Sequence, residues 1–311
     1  MTRVVVAGGS GMVGRALVAS LVADGVEVVV LSRSPGSRRG RVPAGARTEA
    51  WDPDDPGRGD ELARVMAGAD GVVNTSGEPV GPLPWWLPGR RRAILASRAG
   101  TNAGLVAAIG RLAPQERPRV LVTAAGSDGY TGLDATAATE ATDVSRTPGF
   151  LPEVARAWEA AAEPATALGV RLVLVRTSFV LARGNPLLGL FSLPTRLFLG
   201  GPIGGGRQWF SWIHLDDLVG VYRLALSDER VAGPINATSP GPVPQREVAR
   251  AMGRVLRRPA WFPIPGWPIR LVLGEQATLA LDSRRVAPSR LEALGFRFAY
   301  PEIETALRDT L

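Results

Sequence analysis

The residues with the clearest chemical potential are Gly8, Gly11 and Gly14, which follow a β-branched run near the start of the chain. An apolar-periodic segment continues from Met12 to Val22, so the stretch is typical of a strand, a turn and a helix. Glycine at these positions allows a tight turn, lets a diphosphate approach bare backbone and lets the helix pack closely. The helix N-terminus would add unpaired N–H groups and the positive end of its dipole. The spacing therefore predicts a dinucleotide site, with a plain glycine turn in an α/β fold as the alternative. The predicted contacts are Gly8, Ser10, Gly11, Met12 and Val13.

The end of the second predicted strand indicates which dinucleotide would bind. The segment Leu31-Ser32-Arg33-Ser34 has no carboxylate to accept from a ribose 2′-OH. Arg33 can instead hold a 2′-phosphate through charge-assisted hydrogen bonds, with Ser32 and Ser34 adding neutral ones and Arg38 a second cation. The sequence therefore favours NADP(H) over NAD(H). The alternative is that Arg33 is a solvated loop residue.

Composition excludes several kinds of chemistry. The 311 residues include no cysteine and one histidine, His214, so thiolate chemistry and a histidine-based metal cluster are not expected. Lysine is absent as well, which removes Schiff-base chemistry. The net charge of +7 comes from scattered arginines with local clusters at 38–41 and 90–92, so solvated faces are favoured over a nucleic-acid surface.

The N-terminus enters a strand directly and no apolar run approaches the ~20 residues of a membrane span. We therefore expect a cytoplasmic protein that acts on a small molecule, without a nucleic-acid or membrane partner. A homodimer is an open alternative.

Strand and helix signals alternate through the first 180 residues, which predicts a doubly wound parallel sheet in an α/β fold. Beyond Leu181 the character changes: Trp209–Ile213 is predicted as one further strand, and Asp216 or Asp217 as the cap of a helix to Leu226. The predicted strands are Arg3–Ala7, Glu27–Leu31, Thr48–Trp51, Gly71–Asn74, Val120–Ala124, Arg171–Arg176 and Pro234–Ala237, and the predicted helices of the first part are Met12–Ala23, Glu61–Ala67, Gly89–Leu112 and Leu151–Leu168. We expect a dinucleotide-binding domain of residues 1–180 plus 211–240, and a smaller, mostly helical C-terminal substrate lobe of residues 181–210 plus 241–311.

Several blocks together resemble the extended short-chain dehydrogenase/reductase superfamily, in the wider NAD-dependent epimerase/dehydratase group. Within it the chain is similar to the atypical epimerase-like subgroup of cell-division-inhibitor and nucleoside-diphosphate-sugar epimerase homologues. The blocks are Gly8–Gly14, Asn74–Pro79, Ser97-Arg98, Gly129-Tyr130, Phe150-Leu151 with Trp158-Glu159, Arg176-Thr177, and Gly200-Gly201 through Gly206–Trp209 to Ser211–Leu218.

The resemblance implies a Rossmann-type sheet, NADP(H) at the glycine turn and a C-terminal substrate lobe. It implies that Trp51-Asp52 approaches the adenine and that Asn74–Gly77 lies along the cofactor, with Glu78 towards the nicotinamide. The further cofactor contacts expected on this basis are Ser32, Arg33, Asp52, Thr75, Ser76, Gly77, Thr123 and Arg176.

The chain departs from the superfamily at the reaction centre. Classical members use a serine, a tyrosine and a lysine four residues after the tyrosine, and the tyrosine exchanges the proton, whereas the subgroup that this chain resembles commonly lacks the tyrosine and the lysine. By comparison with Trp158-Glu159, these last two positions fall near Leu151 and Ala155, and the serine position falls on Ala125. None of these three side chains can exchange a proton.

The remaining candidates are polar side chains near the expected strand ends. Tyr130 and Glu78 are the predicted acid/base candidates, with Ser127 a third and Asp128 a weaker choice. Alternatively, Tyr130 contacts ribose or packs in a loop, and Glu78 pairs with Arg98. Predicted substrate contacts are Arg98, Trp85 and Trp209, although the tryptophans would equally suit a core. His214 is interpreted as structural.

We therefore expect an NADP(H)-dependent oxidoreductase or epimerase that acts on a small organic substrate without the Ser-Tyr-Lys triad. The alternatives are a non-catalytic NADP(H)-binding sensor or scaffold, and a non-redox cyclase or dehydratase on the same fold.

Overall fold

The computed structural model describes residues 1–33, 42–81, 85, 87–132 and 136–311. Among these residues the strands, in chain order, are β1 (Arg3–Ala7), β2 (Glu27–Ser32), β3 (Arg47–Ala50), β4 (Gly71–Asn74), β5 (Val120–Gly126), β6 (Arg171–Thr177), β7 (Phe179–Leu181), β8 (Trp209–Phe210), β9 (Trp212–His214), β10 (Gly233–Ala237) and β11 (Val243–Pro244). The α-helices are α1 (Met12–Ala23), α2 (Gly59–Met66), α3 (Arg90–Gly110), α4 (Phe150–Ala160), α5 (Pro164–Ala167), α6 (Pro186–Arg196), α7 (Leu215–Ser227), α8 (Gln245–Leu256), α9 (Gly266–Leu273), α10 (Thr278–Leu281), α11 (Ser289–Ala293) and α12 (Ile303–Thr310).

A parallel sheet of seven strands forms the centre, in the order β10-β6-β5-β4-β1-β2-β3. The chain runs outward from β1 in one direction through β2 and β3, and then in the other direction from β4. The carboxyl ends of β1 and β4 therefore lie side by side at the switch point, where open α/β sheets bind ligands. The expected Rossmann-type, doubly wound fold is confirmed.

Both faces of the sheet are covered, which explains why its strands are near-continuous apolar runs. Val4, Val6 and Val30 face a core shared with α1 and α7, whereas Val5 and Val29 face a core shared with α2, α3 and α5. A third cluster, which includes Leu181, Trp212, Val248 and Leu307, joins α6, α8 and α12 in the C-terminal part. None of the described helices combines the length and apolar character needed to cross a membrane.

Two predicted elements were wrong in detail. The expected helix Leu151–Leu168 is two helices, α4 and α5, because Pro164 has no N–H to continue the ladder and begins the second one. The expected strand Trp209–Ile213 is interrupted at Ser211. Its first half, β8, pairs antiparallel with β11, and β9 pairs in parallel with β7.

Candidate functional site

The glycine turn after β1 packs so closely that side chains are excluded. Gly8 has φ +82°, and a Cβ there would lie 2.5 Å from the Ser76 amide nitrogen. A Cβ on Gly14 would lie 2.3 Å from the Gly8 carbonyl oxygen, so α1 rests directly against the turn. Gly11 is the N-cap of α1 and its amide donates to Gly8 over 2.9 Å.

The N-terminus of α1 has the properties of an anion site. Its cap is a glycine, no side chain in the described chain caps it, and its first turn contains no acidic residue. Ser10, Met12 and Val13 are half-buried around this end. Bare backbone, free first-turn amides and the helix dipole suit a diphosphate, so the residues present fit a dinucleotide.

The ends of β2 and β3 lie beside this turn. Ser32 is buried and Arg33 is exposed directly after β2, whereas Ser34 and Arg38 fall outside the described residues. Trp51 donates its backbone amide to Ser32 and its ring packs in the core at Gly104. Asp52 follows, half-buried, and accepts from the Asp54 amide over 3.1 Å. Trp51 thus holds the end of β3 against the core, directly before Asp52.

Asn74, at the end of β4, and Asn102, which sequence reasoning did not single out, together shape the segment after β4. Asn74 accepts from the Ser76 amide and hydroxyl at 2.9 and 2.6 Å, and donates to Asn102 on α3 at 2.7 Å. Thr123 donates to the same Asn102 oxygen at 2.9 Å and is fully buried. The hydroxyl of Thr123 therefore stabilises this network, against its predicted cofactor contact. Thr75 donates to the Ala7 carbonyl over 3.2 Å.

Tyr130 and Arg176 belong to a buried polar network. Arg176 forms a two-point ion pair with Glu159 at 2.7 and 2.8 Å, and its third nitrogen donates to the Tyr130 hydroxyl at 2.7 Å. Tyr130 in turn donates to Asn236 of β10 at 2.9 Å. Burial raises the pKa of the Tyr130 phenol, which solvent does not reach. This arrangement argues against the predicted roles of Tyr130 as acid/base and Arg176 as cofactor contact.

Glu78 and Arg98 lie next to each other, but they do not form the ion pair that was the alternative for Glu78. The Glu78 carboxylate pairs with Arg90, whereas Arg98 donates through Nη1 to the backbone carbonyls of Glu78 and Ile94 at 2.9 and 3.1 Å. The guanidinium of Arg98 lies over the Trp158 ring, 4.9 Å from its centroid. Burial lowers the pKa of Arg98 to about 10, which leaves it protonated at neutral pH.

The turn after β5 carries Ser127 and Asp128. Ser127 is buried, and its hydroxyl lies 3.4 Å from that of Ser178 after β6. The Asp128 side chain is one-quarter exposed, and its carboxylate lies 3.5 Å from Nη2 of Arg284. Arg284 also donates to Thr131 over 3.1 Å. Sequence reasoning missed Arg284, because nothing in the C-terminal sequence pattern marks it as a neighbour of this turn.

Helix α4 is packed tightly at the positions where the resemblance leads us to expect the tyrosine and lysine of the superfamily. Leu151 and Ala155 are both buried. Trp85 is buried too: its ring contacts Phe150 edge-on at 5.2 Å, and its indole donates to the Val80 carbonyl. Trp85 is therefore part of a core cluster, against its predicted substrate contact. Trp86 lies outside the described residues.

Two aromatic side chains belong to the C-terminal part. Trp209 is half-buried, with Arg285 over its ring at 4.3 Å. His214 is the N-cap of α7, accepting from the Asp216 amide at 3.2 Å, and its ring stacks on Tyr300 at 3.7 Å. The predicted cap, Asp216 or Asp217, was wrong: the buried Asp217 carboxylate accepts from the amides of Ala299 and Tyr300 instead.

Comparisons with known proteins agree with this geometry. The family model described as "NAD dependent epimerase/dehydratase family" matches residues 4–237, and one described as a domain of unknown function matches residues 264–310. Epimerase family protein SDR39U1 of Bos taurus is 36% identical over 313 residues, which covers 99% of each chain. The Arabidopsis thaliana chloroplastic homolog of SDR39U1 is 36% identical over 97% of this chain and 85% of its own length.

Comparison with solved structures gives relatives of the same kind. The crystal structure of human epimerase family protein SDR39U1 (isoform2) with NADPH has a TM-score of 0.84 and 34% identity, over 99% of this chain and 98% of that one. A nucleoside-diphosphate sugar epimerase from Corynebacterium glutamicum has a TM-score of 0.75 and 30% identity, over 98% of this chain and 57% of that one. From the glycine turn, the sheet order and these matches, the chain belongs to the NAD dependent epimerase/dehydratase family.

Proposed function

We propose that this chain binds NADP(H) at the glycine turn and uses it as an oxidoreductase or epimerase on a small organic substrate. The observation that carries the proposal is the contact of Gly14 with Gly8, which leaves bare backbone and free amides at the switch point of the sheet. The similarity to a relative whose crystal structure contains NADPH supports the choice of cofactor. The exposed Arg33 after β2 supports recognition of a 2′-phosphate.

The substrate would lie between the strand ends and the lobe of residues 181–210 plus 241–311. When bound, NADP(H) would supply hydride transfer to or from a substrate carbon. Asp128 would take the hydroxyl proton as that carbon is oxidised, and would return it to the oxygen in the reverse direction. Arg284, 3.5 Å away, would hold the carboxylate in place. We prefer Asp128 to Tyr130 as the proton-exchanging group because the Asp128 carboxylate is partly exposed, whereas the Tyr130 phenol is fully buried.

The experiment has a binding arm and a turnover arm. Calorimetric titration of the purified protein with NADPH, NADP⁺, NADH and NAD⁺ tests the cofactor, and we expect NADPH or NADP⁺ to bind at least about tenfold more tightly than its unphosphorylated counterpart. Absence of binding by all four would overturn the proposal. NADPH absorbance is then followed against a panel of carbonyl compounds.

Three matched variants assign the proton-exchanging group. We expect Asp128→Asn to lower turnover about 100-fold, within the range for a general acid or base. Glu78→Gln and Tyr130→Phe should retain turnover once their folded fractions are matched. If Glu78→Gln abolishes turnover and Asp128→Asn does not, Glu78 is the acid/base. Binding of NADPH without turnover on any substrate of a broad panel would favour the sensor or scaffold.

A further inference from the structure

Arg98 is a buried cation that forms no ion pair within the described part of the chain. The residue is only 8% exposed, and its guanidinium forms no ion pair with any described carboxylate. The carboxylate of Glu78, whose backbone carbonyl accepts from Arg98, is paired with Arg90 instead. Contact with the Trp158 ring offsets part of the cost of burial. A buried charge is stable only when something balances it, so a missing anion is a feature to explain.

The hydrogen bonds of Arg98 use one nitrogen only. Nη1 donates to the carbonyls of Glu78 and Ile94. Nε and Nη2 have no acceptor among the described residues. Unlike Nε of Arg3 and Nε1 of Trp158, these two atoms are not among the fully buried polar atoms that lack a hydrogen-bond partner. No described residue therefore accepts from the Nε–Nη2 edge of the guanidinium, which we call its open edge.

Two residues define the surroundings of the Arg98 guanidinium. Gly77 lies over its plane: a Cβ there would lie 3.2 Å from Cζ and 3.4 Å from both Nε and Nη2. Gly77 follows Ser76, whose backbone contacts Gly8 of the glycine turn. Asp128 acts electrostatically on Arg98 from across the site, but it lies too far away to form an ion pair. Arg98 therefore lies against Gly77, beside the expected cofactor contacts Thr75 and Ser76, and within electrostatic reach of Asp128.

We propose that the open Nε–Nη2 edge of Arg98 binds a carboxylate of the substrate, so that this protein acts on carboxylate-bearing carbonyl or hydroxyl compounds. Two parallel N–H donors in one plane match the two oxygens of a carboxylate, and such a pair fixes orientation as well as position. The substrate anion would neutralise the buried guanidinium, and its reacting oxygen would point towards Asp128. This inference rests on the proposed function, because it assigns the substrate class of the same site.

The test uses the protein saturated with NADPH, and it measures the affinity of acetate, malonate and pyruvate together with their neutral amides. We expect the carboxylates to bind and the amides to bind at least about tenfold more weakly. Arg98→Lys keeps the charge but loses the fork, and should weaken carboxylate binding about 10- to 100-fold while NADPH affinity stays unchanged. Arg92→Gln, an exposed arginine on the same helix, is the matched control and should change neither affinity.

A second variant guards against misfolding of Arg98→Lys. Gly77 has no positive φ, so Gly77→Ala introduces no backbone strain and only presses a methyl group on Cζ, Nε and Nη2. We expect it to weaken carboxylate binding as well. Inorganic phosphate serves as a competing probe, and tighter binding of phosphate than of any carboxylate would overturn the assignment.

The outcomes separate this inference from the proposed function. If NADPH binds but carboxylates and amides bind equally, or Arg98→Lys leaves carboxylate affinity unchanged, the inference is wrong and the proposed function stands. If Arg98→Lys weakens NADPH as strongly as the carboxylates, Arg98 belongs to the cofactor site, which also overturns the inference. If NADPH itself does not bind, the proposed function fails first.

Discussion

Nη1 of Arg176 donates to the hydroxyl of Tyr130 over 2.7 Å in the interior of the protein. The same hydroxyl donates to Asn236, so one phenol joins the turn after β5 to β6 and β10. At the other end of the network, the Glu159 carboxylate accepts two hydrogen bonds from Arg176. Its geometry is that of a structural support for the strand ends.

Tyr130→Phe should therefore lower stability more than it affects the site. The change removes the hydrogen-bond partner of Arg176 Nη1 and of Asn236 Oδ1, and we expect the free energy of unfolding to fall by about 1–3 kcal/mol. Denaturant unfolding measures this, and Tyr300→Phe is the control because no described residue hydrogen-bonds to its hydroxyl. An unchanged free energy of unfolding combined with lost NADPH affinity would place the phenol in the site instead.

Gly14→Ala should abolish tight cofactor binding. Its Cβ would meet the Gly8 oxygen at 2.3 Å and the Thr75 hydroxyl at 2.6 Å, so α1 must move away from the turn. We expect NADPH affinity to fall at least about tenfold, since displaced amides lose charge-assisted hydrogen bonds. Gly100→Ala in α3 is the matched control: nothing lies within 4 Å of its new methyl group, and it should gain up to about 1 kcal/mol of stability. Equal NADPH affinity in the two variants would contradict the geometry.

Arg33→Gln should reduce the preference for the phosphorylated cofactor. Without the guanidinium a 2′-phosphate loses hydrogen bonds to a charged donor, each of about 1.5–3 kcal/mol. We expect NADPH affinity to drop roughly tenfold or more while NADH affinity is maintained, as measured by titration of both. Arg64→Gln, an exposed arginine on α2, should leave both affinities unchanged. A parallel loss for NADPH and NADH would show that Arg33 does not read the 2′ position.

His214→Ala should destabilise the protein without changing cofactor binding. The substitution removes the cap of α7 and the stack on Tyr300, and loss of a cap costs about 0.5–2 kcal/mol. His214→Asn restores a side-chain acceptor for the Asp216 amide and should recover part of the stability. Thermal unfolding and NADPH titration of both variants check this. A large loss of NADPH affinity in His214→Asn would argue for a direct role of the imidazole.

The sheet could be predicted from sequence because its strands are short apolar runs bounded by polar or glycine-rich turns. The predicted ranges of β1 and β4 match residue for residue: each ends where a buried run meets a polar or glycine-rich turn. The first helix also matches, since its apolar face and its glycine N-cap are both local features. The element boundaries that failed depend on other segments. The break at Ser211, for example, is stabilised by hydrogen bonds to Arg284 and Val286, more than 70 positions away.

Residues of the site could be predicted only where the contacts that define them lie within one short stretch of sequence. The glycine turn after β1 is such a stretch. Tyr130 looked available for chemistry because its partner Asn236 is 106 positions further on, in a strand whose side-chain directions no local pattern reveals. The position of Arg284 beside Asp128 could not be predicted for the same reason, because this contact depends on how the C-terminal segment crosses the turn after β5.

The packing of α4 restricts which side chains this helix can carry at two positions. Leu151 is embedded among Trp85, Ile94 and Phe150, and Ala155 borders the small cavity beside Arg176 and Glu159. A tyrosine at position 151 would force a phenol into an occupied cluster, and a lysine at position 155 would add a second cation beside the paired Arg176. Each substitution would destabilise the protein. The shape and charge of its surroundings therefore keep α4 from carrying a proton-exchanging tyrosine and lysine at these positions.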